Sequence, residues 1–413
     1  MRKAIVFLHR WVGLAVLLFI AVAAITGVII AFDKELDHTL NDDWFYIQPG
    51  EQKMAMDQLV PIAEEVYPGK RVTFVRTNNE SADRSMEFYL RTPATKNAED
   101  KSIFDSEGKY HTVFVNPYSG KVLGSRENGV FGVDKRHIIP MIVKLHYTWY
   151  AGAFGKWVIG IAALLWLLDH FGAVYISFPN LKNWRKSFQF RWRTGGYKLN
   201  FDMHRSGSMW ILPVLLALSL SSVYLNLNDQ FKWVVNKFSP VTKTECACHV
   251  DPKANWIDKT ASWDEAIKLA QQTRPDLTVG SISFLPDTRK FIVSLKGEND
   301  LTKEVGMTKV YVNAITGDLL HVHDRNLETA GDTFNAWQLP LHSGRVFGIV
   351  GQIIILLSGI VITIICVTGF IIYLKKLRAR EAANPKEIAS TKPETIGVLA
   401  LLGRLKPLLR SRT

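Results

Sequence analysis

Four long stretches that are almost free of charged residues constrain this chain more than any other feature. They cover residues 12–32, 157–178, 209–228 and 346–374. Only the second is interrupted, by Asp169 and His170. Each stretch is close to or above the roughly 20 residues that a helix needs to cross about 30 Å of hydrocarbon. The sequence therefore predicts four transmembrane helices, with polar segments of soluble composition between them.

The first apolar stretch has two interpretations. Arg2 and Lys3 precede it, and residues 21–23 read Ala-Val-Ala, which together give the pattern of a cleaved secretory signal. The apolar run continues beyond those alanines to Phe32. That continuation favours a helix that is retained as a membrane anchor.

The basic residues that flank the apolar stretches predict the orientation of the chain, because cytoplasmic ends of membrane spans carry an excess of lysine and arginine. Such residues cluster before the first stretch, between the second and third, and directly after the fourth. Both termini are therefore expected in the cytoplasm of a Gram-negative bacterium, and two large insertions, about residues 33–139 and 229–339, in its periplasm. The net charge of +12 reflects this bias, and nucleic-acid binding is a poor inference from it.

The two large insertions repeat one another. Residues 113–124 read VFVNPYSGKVLG and residues 310–321 read VYVNAITGDLLH, and both predict a strand, a tight turn and a second strand. A candidate helix precedes the strands in each, MDQLVPIAEEVYPG in the first and SWDEAIKLAQQTRPD in the second. Ser262 is expected to cap the second helix, with Glu265 completing a capping box. Each insertion is therefore expected to be an α+β unit, a short helix packed on an antiparallel sheet.

The turn VNPYSGKVLG and its counterpart resemble the hairpin of the PepSY module, and the apolar stretches resemble the membrane helices associated with it. On this resemblance, which extends to about residue 380, the chain is identified as a member of the PepSY-associated transmembrane family. Among the members it is most similar to inner-membrane reductases of ferric siderophores, of the ferrioxamine type. The resemblance implies an integral membrane protein, a four-helix transmembrane bundle with two periplasmic α+β PepSY-like domains.

The expected boundaries follow the alternation of apolar and polar segments. Transmembrane helices are expected at residues 1–36, 137–178, 203–228 and 339–378, periplasmic domains at 37–136 and 229–338, a basic cytoplasmic loop at 179–202 and a cytoplasmic tail at 379–413. The loop and tail are too short for a nucleotide-binding domain, and no glycine-rich strand-to-helix turn is present. Electrons would therefore come from a separate donor, either membrane quinol or a cytoplasmic reductant.

Four of the eleven histidines recur in similar contexts at the mouths of the apolar stretches. They lie in LHRWVG, LHYTWYAG, MHRSGS and LHSGRVFG, as His9, His146, His204 and His342. The predicted orientation puts His9 and His204 on the cytoplasmic side and the other two on the periplasmic side. A pair of neutral imidazoles on facing helices is the ligand set of a b-type haem, so the pattern predicts two haems.

Residues beside these histidines are candidates for holding the haems. Gly13 and Ser208 follow the two cytoplasmic-side histidines by four residues, so they share a helical face with them and leave room for a flat ring. Arg10, Arg205 and Arg345 are candidate partners of haem propionates. For Arg10 and Arg205 the positive-inside bias is an equally good explanation.

His170 is a fifth candidate ligand, because ionisable residues inside a membrane span are costly and often functional. It would replace His9 opposite His204, relay protons with Asp169, or form a buried hydrogen-bonded pair with it. His146 lies eleven residues ahead of its apolar stretch, which corresponds to roughly 16 Å on a straight helix. Either the periplasmic haem lies high above the bilayer, or the second helix begins earlier.

Two polar motifs in the insertions have no part in this scheme. The segment TECACHV contains Cys246, Cys248 and His249, but the c-type haem signature needs two residues between its cysteines. A disulfide or local redox feature is favoured there over a metal site. His321 and His323 alternate on a predicted strand, where a polar sheet edge is favoured over a metal or substrate site.

Together the residues and the resemblance predict an oxidoreductase with two b haems that passes electrons across the bilayer to a periplasmic ferric siderophore, with the hydroxamate class favoured. Hard hydroxamate oxygens hold iron(II) more weakly than iron(III), so one electron releases the metal. No catalytic side chain is expected, because the electron moves through haem. Two other functions remain open: a PepSY-type binding or regulatory protein with structural histidines, and a quinol-linked haem carrier with a protein acceptor.

Overall fold

The long helices of this chain lie together in a bundle, and its strands form a sheet at one end of that bundle. The computed structural model describes residues 1–79, 81–92, 110–178, 180–242, 261–298, 300–301 and 305–383. We call the end beside the sheet the sheet end of the bundle. The opposite end, where residues 180–195 connect the second and third spans, is the loop end.

Each half of the chain contributes six of the helices described. The first half contains α1 (Arg2–Ile30), α2 (Asp33–Leu40), α3 (Asp42–Phe45), α4 (Met56–Glu65), α5 (Ile138–Thr148) and α6 (Gly152–Ser177). The second half contains α7 (Gly196–Trp210), α8 (Leu212–Asn226), α9 (Asn228–Val235), α10 (Trp263–Thr273), α11 (Ala330–Ser343) and α12 (Gly348–Ala383). Within the described residues, α1, α6 and α12 are each long and apolar enough to cross a membrane, and α7 and α8 are so as a bent pair.

The third span is broken, and the prediction of one helix over residues 203–228 is wrong in this respect. Helices α7 and α8 meet at Ile211 with a bend of 72°. Pro213 lies in the first turn of α8 and has no N–H to donate to the carbonyl of Met209, so the hydrogen-bond ladder of a continuous helix cannot pass this point. The bend turns α7 toward α12, against which it packs.

The second and fourth spans are each preceded by a separate short helix, α5 and α11. Trp149 and Tyr150 have left-handed backbone conformations, with φ of 51° and 58°, and they separate α5 from α6. Gly344, with φ of 74°, ends α11 in the same way. His146 therefore does not lie on an outward extension of α6. Instead it lies on α5, which changes direction and packs against α1.

The eight strands form one antiparallel sheet in the order β4-β3-β2-β1-β5-β6-β7-β8. The strands are β1 (Arg71–Arg76), β2 (Met86–Arg91), β3 (Tyr110–Val115), β4 (Val122–Glu127), β5 (Thr278–Leu285), β6 (Lys290–Lys296), β7 (Thr308–Asn313) and β8 (Leu319–His323). The two predicted hairpins are confirmed as β3–β4 and β7–β8. The predicted helices are confirmed as α4 and α10, and Ser262 and Glu265 form the expected capping box.

The sequence predicts two separate sheets, whereas the structure joins them edge to edge. Strands β1 and β5 pair through Phe74 with Ser283, Val75 with Ile282, and Arg76 with Ser281. Helices α4 and α10 cover one face of the joined sheet and share a single apolar core with it. The fully buried side chains of that core include Leu59, Val75, Phe88, Ile282 and Phe291.

The N-termini of α4 and α10 are bound to each other across the join. The backbone N–H groups of Met56 and Asp57 donate to the Asp264 carboxylate, at 2.9 and 2.8 Å. Those of Trp263 and Asp264 donate to the Asp57 carboxylate, at 2.9 and 3.4 Å. Each acidic side chain thereby satisfies N–H groups that a helix leaves free at its N-terminus, and the two halves are held in register.

Candidate haem sites

Two of the predicted histidines meet at the loop end. His9 lies on α1 and His204 on α7, and their ring centres are 6.2 Å apart. The Nδ1 atom of His9 lies 2.8 Å from a carboxylate oxygen of Asp169 on α6. The Nδ1 atom of His204 lies 2.9 Å from the carbonyl oxygen of Ile365 on α12. Four helices thus fix the positions of two rings.

The other two predicted histidines meet at the sheet end. His146 lies on α5 and His342 on α11, and their ring centres are also 6.2 Å apart. Their Nδ1 atoms lie 2.9 Å from the hydroxyl oxygens of Thr26 on α1 and Ser221 on α8, respectively. Because α5 changes direction before the second span, His146 contacts α1. It therefore does not lie the roughly 16 Å beyond the apolar stretch that a straight helix would give.

The hydrogen-bond partners specify which ring nitrogen carries the proton. The Ile365 carbonyl and the Asp169 carboxylate can only accept, so Nδ1–H donates to them. The Thr26 hydroxyl donates to the Val22 carbonyl at 2.7 Å and therefore accepts from His146. Ser221 donates to the Ala217 carbonyl at 2.7 Å and accepts from His342 in the same way. In the neutral form, each of the four rings has a lone pair on Nε2, as in histidine ligands whose other nitrogen is held by a neighbouring group.

The ring spacing matches what two ligands of one iron require. Two imidazole nitrogens on opposite sides of a metal, each about 2 Å from it, place the ring centres about 6 Å apart. Both observed separations are 6.2 Å.

A cavity of about 420 Å³ surrounds the loop-end pair and is lined by α1, α6, α7, α8 and α12. A volume of this order is typical of small-molecule and cofactor sites. Gly13 lines it, and a Cβ at that position would meet no atom within 4 Å. Ser208 also lines it, with its hydroxyl donating to the His204 carbonyl at 2.6 Å. The small residues predicted from the sequence therefore border open space next to the rings.

Two arginines of the same cavity have buried nitrogen atoms with no hydrogen-bond partner. These are Nε of Arg10 and Nε of Arg205. An unsatisfied buried N–H costs free energy, and a ligand carboxylate would satisfy it as a charge-assisted acceptor. Nη2 of Arg205 donates to the Lys186 carbonyl at 2.6 Å and lies 3.6 Å from the Asp202 carboxylate. The donors present in this cavity thus fit a group that carries carboxylates.

His170 is buried beside this pair but does not face His204. Its Nδ1 donates to the carbonyl of Trp166 in the same helix at 2.5 Å, and among the described residues its ring packs on that tryptophan. Asp169 contacts His9 instead of forming a pair with His170. The geometry therefore favours His9 as the partner of His204, and the expected Asp169–His170 pair is not found.

Arg345 lies at the sheet end, where its guanidinium contacts the Asp33 carboxylate. Both residues line a second cavity, of about 290 Å³, between the polar face of the sheet and the helices of the bundle. Glu87 lines it as well. Burial alone would raise the pKa of Glu87, but the Arg76 guanidinium and hydrogen bonds from Tyr89 and Asn78 lower that pKa to about 2. This cavity is therefore polar and permanently charged at neutral pH.

The remaining polar motifs have no assigned site. Cys246, Cys248 and His249 lie outside the described residues. His323 is buried and lies 3.4 Å from a Glu328 carboxylate oxygen, while His321 is exposed on the edge strand β8. No group of three or more potential metal-ligating side chains occurs in the part of the chain that the structure describes.

Sequence reasoning missed the residues that hold the histidines in place. Thr26 and Ser221 carry no local signal in the sequence, and Asp169 is adjacent there to His170, not to His9. A signal was present in the Thr-Gly pairs near the ends of the first and fourth spans, because Gly27 and Gly369 lie against the rings of His146 and His204. The repeat is visible in the sequence, but the contact that it serves requires knowledge of which helices are neighbours.

Comparison with known proteins agrees with this architecture. No curated protein matches the chain. The family model described as the PepSY-associated TM region matches residues 6–376, which is most of the chain and includes all the spans and the whole sheet. The protein is therefore a membrane protein that belongs to the PepSY-associated transmembrane family.

Proposed function

We propose that this protein is a di-haem b oxidoreductase of the bacterial inner membrane, which passes electrons to a ferric siderophore outside the cytoplasm. The observation that carries the proposal is the pair of 6.2 Å histidine contacts, each with both Nδ1 atoms engaged. A single histidine contact of this kind could serve only to stabilise the packing of the helices. Two with the same spacing and the same free nitrogen, one at each end of the bundle, favour a pair of haems.

The side chains have separable tasks in this proposal. His9 and His204 would hold one haem, and His146 and His342 the other. Arg10 and Arg205 would bind carboxylates at the loop end, where Gly13 and Ser208 leave space for the ring. Arg345 is paired with Asp33, and it would act on the sheet-end haem only through the electrostatic field of the polar cavity. When bound, haem supplies a one-electron iron couple at each end of the span.

The positions of the two pairs suit transfer across a bilayer. His9 and Thr26 lie 17 residues apart on α1, which corresponds to about 25 Å along the helix axis. Donor and acceptor would therefore meet opposite ends of the bundle. The donor would be membrane quinol or a cytoplasmic reductant, and the acceptor a ferric chelate, for which a hydroxamate siderophore is the favoured class because its oxygens release iron(II) readily.

An alternative function is periplasmic binding or regulation by the sheet, with structural histidines. The charged cavity of about 290 Å³ beneath the sheet favours it, because such a cavity suits a polar ligand. A third function keeps both haems but passes electrons from quinol to a protein acceptor.

Absorption spectroscopy of the full chain purified in detergent separates these functions. We expect Soret and α bands of a low-spin b haem and two haem irons per chain. Absence of haem in protein expressed with ample haem supply would reject both electron-transfer functions. If haem is present, mixing reduced protein with a ferric hydroxamate should reoxidise it, whereas the gallium(III) chelate of the same siderophore, which does not accept the electron, should leave it reduced. Failure of the ferric chelate to reoxidise the protein would reject siderophore reduction alone.

Single histidine variants test the pairing. H204A and H9A should each lose the loop-end haem and keep the sheet-end haem. H146A and H342A should each lose the sheet-end haem and keep the loop-end haem. H170A provides the matched control, because His170 is buried in the same cavity yet faces Trp166. Two haems in H9A and one in H170A would assign the ligand role to His170 instead.

A further inference from the structure

The two halves of the chain supply equivalent residues to the sheet-end pair. His146 and His342 are separated by 196 positions in the sequence, and their acceptors Thr26 and Ser221 by 195. Each Nδ1–H thus donates to a hydroxyl in its own half of the chain, at equivalent positions of the two halves and at 2.9 Å in both cases. This pair is symmetric in the chemistry around its ligand rings as well as in the rings themselves.

The loop-end pair is not symmetric. His9 and His204 are 195 positions apart, and the residues that accept from them, Asp169 and Ile365, are 196 apart. Equivalent positions therefore hold both rings, but one provides a side-chain carboxylate and the other only its backbone carbonyl. The Asp169 side chain is 13% exposed, so water screens this contact weakly.

A carboxylate acceptor changes what a histidine ligand does to its metal. It draws the Nδ1 proton toward itself, raises the basicity of the ring, and so increases electron donation from Nε2. Greater donation stabilises iron(III) relative to iron(II) and lowers the reduction potential. Neutral hydroxyl acceptors, as at the sheet end, have the same effect to a smaller degree because they carry no net charge.

Cations in the loop-end cavity act in the opposite direction, because positive charge favours the reduced metal. Arg10 and Arg205 line the cavity, and their buried Nε atoms fit the carboxylates of a bound haem, whose charge would offset theirs. Arg2 donates to the Ile176 carbonyl at the exposed end of the bundle, where water and salt screen it. Asp169 is the charged group in direct contact with a candidate ligand ring, so its effect should dominate.

We infer that Asp169 is a positioning residue that keeps the loop-end haem at a lower reduction potential than the sheet-end haem, so that electrons run from the loop end toward the sheet. The inference rests on the proposed function. With both haems bound, one electron would pass from iron(II) at the loop end to iron(III) at the sheet end, and a quinol or cytoplasmic reductant would replace it. His9 would keep its Nδ1 proton hydrogen-bonded to the Asp169 carboxylate throughout.

Potentiometric titration of the purified full chain, followed by absorption, tests this inference. The wild type should give two midpoint potentials, and H204A, which lacks the loop-end haem, should retain only the higher one. In D169N the lower potential should rise toward the higher one, while the higher one stays in place. D169E, which keeps a carboxylate, should return the lower potential toward its original value. As the matched control, S221A should shift only the higher potential.

The readouts separate this inference from the proposed function. Absence of haem from the wild type overturns both. Two haems with D169N potentials equal to those of the wild type, or D169N and D169E potentials that are shifted equally, overturn the role of Asp169 alone. Electron paramagnetic resonance of the oxidised protein provides a second readout, because weaker donation from His9 should move the g values of the loop-end haem in D169N and leave the sheet-end signal unchanged. The amide oxygen introduced by D169N can still accept from Nδ1 of His9, so a role of Asp169 in orienting the ring alone would leave the lower potential and the g values close to those of the wild type.

Discussion

Two glycines set how closely neighbouring helices approach the histidine rings. A Cβ at Gly369 would lie 2.8 Å from Cε1 of His204, whereas a Cβ at Gly27 would lie 3.4 Å from Cε1 of His146. The first separation is too short for a real contact and the second requires only a slight adjustment. G369A is therefore expected to displace the His204 ring and G27A to leave His146 nearly in place.

The measurement is haem content and the Soret spectrum of each variant, with H204A and H146A as the fully depleted references. On the proposed function, G369A should lose most of the loop-end haem, and G27A should retain both haems. Equal retention by the two variants would mean that the bundle relaxes around Gly369, against the close packing described here.

Glu87 makes the stability of the sheet depend on acid. Although burial opposes ionisation, Arg76 and the neighbouring hydrogen bonds lower the pKa of Glu87 from its ordinary 4.5 to about 2. A carboxyl group with a depressed folded-state pKa contributes stability that is fully present above its unfolded pKa and is lost as the pH falls through the folded one. We expect a loss of up to roughly 3 kcal/mol between about pH 4.5 and pH 2.

Thermal unfolding of the full chain as a function of pH measures this contribution. E87Q should unfold at a lower temperature than the wild type at pH 7, and its midpoint should fall less over the acid range. E51Q, which changes an exposed carboxylate of the same domain, is the control and should follow the wild type. Parallel pH profiles for E87Q and the wild type would refute the assignment to Glu87.

At the scale of elements, helix α4 depends on the other half of the chain for its N-cap. Its N-cap residue Ala55 has no side chain that can accept a hydrogen bond, so Asp264 caps it from α10. Helix α10 has its own capping box from Ser262 in addition to Asp57. D264A should therefore destabilise the protein by about 1–2 kcal/mol and D57A by less.

The check is the unfolding midpoint of D264A, D57A and the double variant. Because the two carboxylates bind facing helix ends, the double variant should lose less than the sum of the single losses. A larger effect of D57A than of D264A would contradict the idea that α4 lacks a cap of its own.

Elements that local sequence determines were predictable, and their junctions were not. The capping residues around Ser262 and the Asn-to-Gly turns of the two hairpins lie within a few positions of each other, so local pattern suffices to place α10 and the hairpins. The pairing of β1 with β5 joins residues about 200 positions apart. No local signal encodes it, because either strand edge could equally face solvent.

The same distinction holds for the histidine sites. The contexts of the four histidines and the topology expected from flanking charges sufficed to group them into the two pairs that meet in the structure. Their hydrogen-bond partners Thr26, Ser221 and Asp169 depend on which helices are neighbours and how they are rotated, which hydropathy does not specify. Pro213 likewise permits a bend at Ile211, but its size and direction depend on the packing of α7 against α12, which the sequence does not specify.

At the scale of the whole molecule, each histidine pair draws one ring from each half of the chain. His9 and His146 precede the loop at residues 180–195, and His204 and His342 follow it. Neither half alone contains a complete pair. On the proposed function, co-expression of residues 1–180 and 181–413 as two chains should therefore give haem-containing protein, whereas either fragment alone should contain none.

The measurement is co-purification through a tag on one fragment, together with the haem content per complex. The joined sheet, the reciprocal caps of α4 and α10 and the contacts between α1 and α12 should hold the fragments together. Haem bound at full occupancy by one fragment alone would exclude sites shared between the halves.

The register of β1 on β5 has a consequence for the origin of the protein. Val75 pairs with Ile282, which lies 207 positions later in the sequence. With this offset between the halves, the pair Phe74–Ser283 is equivalent to the pair Arg76–Ser281, as contacts across the axis of a two-fold homodimer are. Gene duplication and fusion of an ancestor that paired with its own copy would leave this register. A homodimer must place the same residue beside both histidines of a site. A single fused chain is free of that constraint, and here Asp169 contacts one ring of the loop-end pair while Ile365 contacts the other from the equivalent position.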